Sequence, residues 1–272
     1  SCLRDGVPCE LCFADKKNVL RHKCIKNSLI GSTIAYFEAI KWNTEKLQRF
    51  TKYFICPSEF MKQKMTAGGF DSKKLIVLNN FISKDKIHNT TFHKENYYCY
   101  VGRLSPEKGI KTLLDVAVSL KNFKLKIIGT GPLEDELKKN YTGEQIEFLG
   151  YKEWTEIKEI LSKAMFSVLP TECYENFPTS VIESMILGTT VIGSRIGGIP
   201  EMIDDGINGL LFNPGDKKDL FEKINLLFND NRLMERLSLA AKENALKQYD
   251  PETYYGRLIE VYHEIQNGVV LM

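Results

Sequence analysis

The sequence predicts an α/β protein whose larger part is a doubly wound parallel sheet. From Asn96 onward, short apolar runs alternate with longer segments whose apolar residues recur at helical spacing. The short runs lack an alternation of apolar and polar residues, as expected of parallel strands that are buried on both faces. This regular alternation of strands and helices implies a parallel sheet with helices packed on its faces.

Composition divides the 272 residues into four stretches. Residues 1–82 are predicted to form a partial amino-terminal α/β part with a cysteine-rich start. Residues 83–96, SKDKIHNTTFHKEN, are polar without apolar periodicity and are predicted to be a linker. Residues 97–249 form the Rossmann-like sheet domain. Residues 250–272 form a last helix and tail, because Asp250-Pro251 breaks the chain before them.

The elements of the sheet domain follow from the pattern in chain order. The predicted strands are Tyr97–Val101, Lys124–Ile128, Ile146–Leu149, Phe166–Leu169, Thr190–Ile192 and Leu210–Phe212. The predicted helices are Ile110–Leu120, Leu133–Asn140, Trp154–Ala164, Pro178–Leu187, Ile199–Ile203, Lys217–Phe228, Asn231–Tyr249 and, last, Glu252–Gln266. Ligands of such sheets bind at the carboxyl ends of the strands, so the site is expected in the loops there.

Fewer elements are predicted in the amino-terminal part. One helix is expected at Asn27–Phe50 and another from a cap at Ser58 to about Thr66, with strands at Tyr53–Cys56 and Leu75–Leu78. Two strands make a poor parallel sheet, because each buries both faces and needs neighbours. We therefore expect that upstream strands are missing from this chain, and that its exposed apolar edge favours self-association.

Composition and charge exclude some classes of protein. Hydrophobic residues make up 43% of the chain, and no apolar run approaches the ~18 residues of a membrane span. Of 37 Lys+Arg and 35 Asp+Glu, residues 1–98 carry 17 and 9, giving +8, so the remainder carries −6. This acidic remainder argues against nucleic acid as a partner. The basic part either contacts an anionic acceptor or a membrane surface, or is a solvated basic face.

Seven cysteines are unevenly spread, with four of them in the first 24 residues. This distribution does not fit a disulfide framework and predicts a reduced, cytoplasmic protein, with a location at the inner face of a membrane as a further option. A C-x2-C pair with two further cysteines could hold a structural zinc ion, and otherwise the thiols are small buried apolar groups. The candidate zinc ligands are Cys2, Cys9, Cys12 and Cys24.

Thr171 to Glu183, TECYENFPTSVIE, carries the main functional signal. Pro178 suits the first helical position, so the free N–H groups of Thr179, Ser180 and Val181 would form an anion site. Glu175 precedes this helix, and Glu183 lies on the same helix face as Thr179. Carboxylates repel phosphate and accept hydrogen bonds from hydroxyls. A ligand with a central phosphate and hydroxyls at both ends, a nucleotide-sugar, fits this arrangement.

Glu175 and Glu183, with seven residues between them, resemble the E-x7-E motif of retaining glycosyltransferase family 4, which has the GT-B fold. Further similar segments follow in the family's order over residues 52–266. They are GRLSPEKG from Gly102, GTGP from Gly129, LGYK from Leu149 and SRIGGIPE from Ser194. The resemblance implies a GT-B-like chain with one complete Rossmann-like domain and an incomplete amino-terminal part.

The resemblance also implies an activity and a set of site residues. A sugar would pass from a nucleoside diphosphate, with a UDP-sugar favoured, to a hydroxyl of a glycan, polysaccharide or lipid-linked acceptor, with retention and without a metal cofactor. Glu175 would hold the transferred sugar, and Arg103 and Lys108 the diphosphate; these three are the candidate catalytic residues. The other expected donor-binding residues are Gly102, Gly129, Gly131, Tyr151, Asn176, Phe177, Pro178, Thr179, Ser180 and, at the ribose, Glu183.

Two other functions fit the same signals: a nucleotide-sugar epimerase of GT-B fold, and a donor-binding subunit without turnover. The chain also departs from the family pattern. Asn79-Asn80-Phe81 stands where Pro-Asn-Gly is usual, and no histidine before residue 97 matches the family's acceptor-side catalytic histidine. We therefore expect this chain alone to bind donor but to transfer sugar poorly.

Overall fold

The computed structural model describes residues 3–4, 6–86 and 93–267. Its contacts divide the chain into two compact units. The carboxy-terminal unit is Asn80–Tyr255, and the amino-terminal unit combines the residues before Asn80 with those after Tyr255. The predicted linker, 83–96, is described at 83–86 and 93–96 and belongs to the carboxy-terminal unit.

The described residues before Asn80 contain two small sheets and five α-helices. Strands β1 and β2 are antiparallel, whereas β3 and β4 are parallel, with Ile55 opposite Ile76. The elements are β1 (Leu3–Arg4), β2 (Val7–Pro8), α1 (Leu11–Ala14), α2 (Asn18–Arg21), α3 (Leu29–Lys41), α4 (Thr44–Phe50), β3 (Phe54–Cys56), α5 (Glu59–Ala67) and β4 (Leu75–Val77).

The single helix predicted at Asn27–Phe50 is wrong, because the chain forms two helices there. α3 ends at Lys41, and the side chain of Asn43 accepts a 2.8 Å hydrogen bond from the Lys46 N–H. Asparagine is among the best N-caps, so it starts a new helix instead of continuing the old one. The cap predicted at Ser58 is confirmed, since its hydroxyl accepts from the Met61 N–H at 3.1 Å.

The carboxy-terminal unit alternates strands and helices throughout. Its elements are β5 (Tyr97–Val101), α6 (Ile110–Ser119), β6 (Lys124–Ile128), α7 (Glu134–Asn140), β7 (Ile146–Gly150), α8 (Trp154–Lys163), β8 (Phe166–Leu169), α9 (Thr179–Ile186), β9 (Thr190–Ser194), β10 (Gly209–Phe212), α10 (Lys217–Asn229) and α11 (Asn231–Gln248). The last helix, α12 (Pro251–Asn267), begins in this unit. Ile199–Glu201 is one 3-10 turn instead of the predicted helix Ile199–Ile203, because the N–H groups of Glu201 and Met202 bond to carbonyls three residues back, at Gly198 and Ile199.

Six parallel strands in the order β10-β9-β8-β5-β6-β7 confirm the predicted doubly wound sheet. The strand order reverses between β5 and β8, which are adjacent in the sheet but separated by two other strands in the chain. In open sheets of this kind, ligands bind in the crevice at the carboxyl ends of the two strands at such a switch point.

Each face of the sheet has its own hydrophobic core. Tyr98 and Tyr100 of β5 point into a cluster filled by α6 and α10, whereas Tyr97 and Cys99 point into a second cluster filled by α8 and α9. This alternation is the two-residue period of a strand. Within the described residues, no helix has the length and apolar character needed to cross a membrane.

Candidate functional site

Two loops begin where β5 and β8 end, at the switch point of the sheet. Loop A (102–109) leads from β5 into α6, and loop B (170–178) leads from β8 into α9. They contain most of the residues predicted to bind the diphosphate and the sugar. Since β5 and β8 are neighbouring parallel strands, both loops emerge at the same edge of the sheet.

Loop A is held by backbone bonds to the last residue of β6 and to the loop that follows it. The Gly102 N–H donates to the Ile128 carbonyl at 3.0 Å, and the Leu104 N–H donates to the Thr130 carbonyl at 2.9 Å. The Tyr100 hydroxyl donates to the Arg103 carbonyl at 2.8 Å. Burial, together with the charges of Glu175 and Glu107, raises the pKa of Tyr100, so this phenol stays a neutral donor. The Arg103 side chain itself is exposed.

Loops A and B are bonded to each other at Glu107. Its carbonyl accepts from the Thr171 hydroxyl at 3.1 Å and from the Glu172 N–H at 3.0 Å. Burial acts to raise the pKa of the Glu107 carboxyl, but the Ser105 hydrogen bond and the Lys108 and Arg103 charges outweigh it and lower that pKa. The adjoining Lys108 is thereby fixed relative to loop B.

Lys108 and Glu175, predicted separately, form an ion pair between Nζ and Oε1. The side chains are 29% and 17% exposed, so one face of the pair remains open to solvent. The Thr171 hydroxyl lies 3.4 Å from the same Glu175 oxygen. The ammonium that the resemblance assigns to a diphosphate thus contacts the carboxylate that it assigns to a sugar.

The backbone of Glu175 is fixed by Gly197 and Gly198, which were not among the predicted site residues. The Gly198 N–H donates to the Glu175 carbonyl at 2.7 Å. Gly197 has φ +65°, and a Cβ there would lie 2.3 Å from the same carbonyl oxygen. Only glycine combines this conformation with so close an approach. The Gly-Gly pair of SRIGGIPE is the sequence signal for this contact.

The helix start after loop B differs from the prediction by one residue. Pro178 is the N-cap with ψ 119°, and α9 begins at Thr179. The Val181 N–H bonds to the Pro178 carbonyl at 3.1 Å, so it is not one of the free donors. The N–H groups of Thr179 and Ser180 have no partner within the helix and remain available to an anion.

Glu183, one turn into α9, is paired with a lysine that the sequence analysis did not single out. Its Oε1 lies 2.5 Å from Lys86 Nζ, and the two side chains are 14% and 32% exposed. The same Nζ lies 4.5 Å from the centre of the Trp154 ring. Lys86 stands in the polar segment predicted to be a linker, where one lysine among several carries no distinguishing signal.

Loop B also contains a residue whose side chain faces the core. The Phe177 ring is buried and meets the Tyr249 ring edge-on, with centroids 5.4 Å apart. Its backbone carbonyl accepts from the Asn80 side-chain amide at 3.0 Å. Phe177 can therefore reach a ligand only through its backbone, whereas the neighbouring Asn176 is exposed. Asn80, in the segment that departs from Pro-Asn-Gly, thus stabilises loop B through this hydrogen bond.

The ends of β6 and β7 complete the same edge of the sheet. The Gly129 N–H donates to the Gly150 carbonyl at 2.8 Å, and Gly131 lies against the backbone of Leu104. The Tyr151 ring is 69% exposed, and its hydroxyl donates to Glu153 at 3.0 Å. These residues border loop A and leave an open surface beside Tyr151.

The predicted zinc site is described in three of its four ligands, because Cys2 lies outside the described residues. Cys9 and Cys12 are half-buried, and Cys24 is exposed. Within the described ranges, no three His, Cys, Asp or Glu side chains are grouped so that they could hold a metal ion. The described thiols do not form the site by themselves, and zinc binding stays a prediction.

Metal analysis of protein purified without added metal tests this prediction. A four-cysteine site should give about one zinc ion per chain, and Cys12→Ser should lower that content, because it removes one of four ligands. Cys99→Ser is the matched control, since Cys99 is buried in the other unit. Zinc content near zero, with the amino-terminal thiols freely titratable, would contradict the site.

The strand order defines a Rossmann-like domain, and the solved structures that it resembles are GT-B glycosyltransferases. Anabaena HepE, solved in complex with UDP, superposes with a TM-score of 0.74 at 19% identity, over 81% of this chain and 66% of that one. A family model described as glycosyl transferases group 1 matches residues 82–244. The chain therefore belongs to the group 1 glycosyl transferases.

Curated relatives agree with this family. An uncharacterized glycosyltransferase of Methanocaldococcus jannaschii is 31% identical over 247 residues, which are 89% of this chain and 66% of the relative. Glycogen synthase of Mycobacterium tuberculosis is 28% identical over 62% of this chain and 42% of its own length. The chain thus spans only part of the length of these relatives.

Proposed function

We propose that this chain binds a nucleoside-diphosphate sugar where β5 and β8 end, as part of a retaining glycosyltransferase of family 4. The observation that carries the proposal is the Lys108–Glu175 pair, which joins the two loops at the switch point. Lys108, a cation for a diphosphate, lies beside Glu175, an acceptor for sugar hydroxyls. Loop B, which carries Glu175, leads directly into the start of α9 with its available N–H groups. The family supports the transfer reaction.

Each part of the donor has a matching group. The diphosphate is expected to take bonds from Arg103, from Lys108 and from the N–H groups of α9. Glu175 accepts from hydroxyls of the transferred sugar, and Glu183 accepts from the ribose. As the bond to the sugar breaks, negative charge grows on the leaving diphosphate, and cations fixed beside it lower the barrier without a metal.

Uracil is the base we favour, and a glycan, polysaccharide or lipid-linked hydroxyl is the favoured acceptor. The UDP complex of HepE and the glycogen synthase relative support these choices. The open surface beside Tyr151 is the proposed location of the base. Turnover by this chain alone is expected to be slow, because the amino-terminal unit has a parallel sheet of only two strands among its described residues. A cytoplasmic location, contact with a membrane surface and self-association remain part of the proposal.

Thermal unfolding with UDP-, GDP-, ADP- and dTDP-glucose tests the donor. A ligand that binds only the folded state and is present at a concentration of 100 times its Kd stabilises that state by about 2.7 kcal/mol. UDP-glucose should therefore raise the Tm most. NMR of UDP-glucose with a glycan acceptor then reports the anomeric configuration of the product. Absence of any shift with all four donors would contradict the proposal, and an epimer formed without acceptor would favour the epimerase.

Substitution of the two glutamates should separate the two ends of the donor. Glu183→Gln should weaken UDP and UDP-glucose alike, by about tenfold, because both ligands contain ribose. Glu175→Gln should leave UDP binding unchanged or tighter, since it releases Lys108, and should remove the preference for UDP-glucose. Titration calorimetry measures all four affinities, with Glu136→Gln, an exposed partner of Lys111, as the control. Equal losses for both ligands in both variants would refute these roles.

A further inference from the structure

Lys86 lies at the site but has no role in the proposed function. It stands in the short turn Lys84–Lys86 before β5, where its N–H donates to the Ser83 carbonyl at 3.0 Å. Its ammonium lies between the Glu183 carboxylate on α9 and the Trp154 ring at the start of α8, at 2.5 and 4.5 Å. The turn before β5, helix α8 and helix α9 therefore all contact this one cation.

We propose that Lys86 is a positioning residue for the ribose, which holds the Glu183 carboxylate in the correct orientation before the nucleotide binds. The inference rests on the proposed function, because it assumes that Glu183 accepts from ribose hydroxyls. Lys86 itself contacts neither the sugar nor the reacting atoms in this account. It acts through the carboxylate.

Burial of Glu183 is the first argument. Its side chain is 14% exposed, and a carboxylate so covered is stable as an anion only with a cation or hydrogen-bond donors nearby. In the part of the chain that is described, Lys86 is its only side-chain partner. Without Lys86, the anion needed by the ribose would lie half-buried and uncompensated.

The geometry of the pair is the second argument. The ammonium bonds to Oε1, whereas an ionised carboxylate has two oxygens and about four lone-pair sites. Oε2 therefore keeps its capacity to accept from a ribose hydroxyl while Lys86 stays in place. A pair of this kind orients the acceptor without consuming it.

Trp154 provides the third argument, because it restrains the cation from the other side. An ammonium over an indole face is attracted by the ring, most strongly where water is excluded. Trp154 packs against the core cluster that α9 also fills, so its ring is fixed relative to Glu183. Lys86 is held between two helices, so the Glu183 side chain is already ordered before the ligand binds, and binding loses less conformational entropy.

A test compares UDP with 2′,3′-dideoxy-UDP, which lacks the hydroxyls that Glu183 would bind. Lys86→Met keeps the apolar stem on Trp154 and removes the charge. By calorimetry, Lys86→Met should bind UDP about tenfold more weakly than the parent chain and bind the dideoxy nucleotide equally well. Lys86→Arg should restore most of the UDP affinity, because it keeps the cation. Lys111→Met, which removes a lysine paired with an exposed glutamate, is the control.

Tryptophan fluorescence verifies that the contact exists. The chain has two tryptophans, so Trp42→Phe leaves Trp154 as the only emitter. Adding Lys86→Met should change its emission in the absence of nucleotide, and adding Lys111→Met should not. An unchanged emission would mean that Lys86 does not lie on the ring and would overturn the inference.

The binding outcomes separate this inference from the proposed function. A parent chain that is folded but binds no UDP overturns both. If the parent binds UDP, and Lys86→Met binds it equally or more tightly, Lys86 is a bystander or competes with ribose. Equal weakening of UDP and the dideoxy nucleotide would mean that Lys86 acts on the diphosphate. Either of these results overturns the positioning role and leaves the donor site intact.

Discussion

Lys108→Ala should weaken UDP binding by about 1.5–3 kcal/mol, which is roughly 10- to 150-fold. The Lys108 side chain is 29% exposed, and its backbone is fixed by the turn Pro106–Lys108, so a diphosphate would receive a pre-positioned charge. Calorimetric titration with UDP measures the loss. Unchanged affinity would show that the diphosphate lies elsewhere.

Lys111→Ala is the matched control for this variant. Lys111 lies three residues after Lys108, in the first turn of α6, and also forms an ion pair, with Glu136 at 2.7 Å. That pair is about half exposed on both sides, and such surface pairs contribute roughly 0–1 kcal/mol to stability. Its loss should leave UDP binding unchanged. Equal effects of the two alanine variants would mean that general charge, not the position of Lys108, attracts the nucleotide.

Arg103→Ala gives a second measure of the diphosphate site. The Arg103 side chain is exposed, and its substitution removes no side-chain hydrogen bond or ion pair among those found in the described residues. We expect a loss of affinity of the same size as for Lys108, with no change in the unfolding midpoint. An Arg103→Ala chain that binds UDP as well as its parent would refute the assignment of loop A.

The sheet could be predicted from the sequence because its strands are buried on both faces. Runs such as Phe166–Leu169 contain only residues that avoid water or are small, and flanking glycines and prolines mark where they end. The ends were less certain, since hydrogen bonding extends β9 to Ser194, two residues past the apolar run. In the segment 27–50, apolar residues recur throughout and predicted one helix, but the capping side chain of Asn43 divides it into two.

The site could be predicted only in part, because its contacts depend on strand order. Glu175 and Lys108 each had a sequence signal, but 66 residues separate them, and only the adjacency of β5 and β8 brings them together. Lys86 had no signal at all, since polar segments without periodicity leave the direction of a side chain undetermined. The helix start moved by one residue because Pro178 adopts an extended conformation as the cap.

Gly109→Ala should lower the free energy of unfolding by more than about 3 kcal/mol. This loss should exceed that of any surface substitution in loop A. Gly109 joins the turn that carries Lys108 to α6, and it has φ +64°. A Cβ at this position would lie 1.8 Å from the Pro170 carbonyl oxygen at the end of β8. The backbones of loops A and B would have to separate, and the Lys108–Glu175 pair would separate with them. Urea unfolding measures the stability, and UDP titration of the remaining folded protein should show weaker binding.

Gly206→Ala distinguishes this steric effect from the cost of the backbone conformation alone. Gly206 also has positive φ, +78°, but a Cβ there would have no atom within 4 Å. Gly206→Ala should therefore lower the free energy of unfolding only by the cost of a left-handed alanine, about 1–2 kcal/mol, and leave UDP binding unchanged. If both alanine variants lose the same stability and both still bind UDP, the close approach of Gly109 to Pro170 does not hold the two loops together. A larger loss for Gly109→Ala, accompanied by lost affinity, is the result that the geometry requires, because the same contact fixes the fold and sets the distance between the cation and the carboxylate.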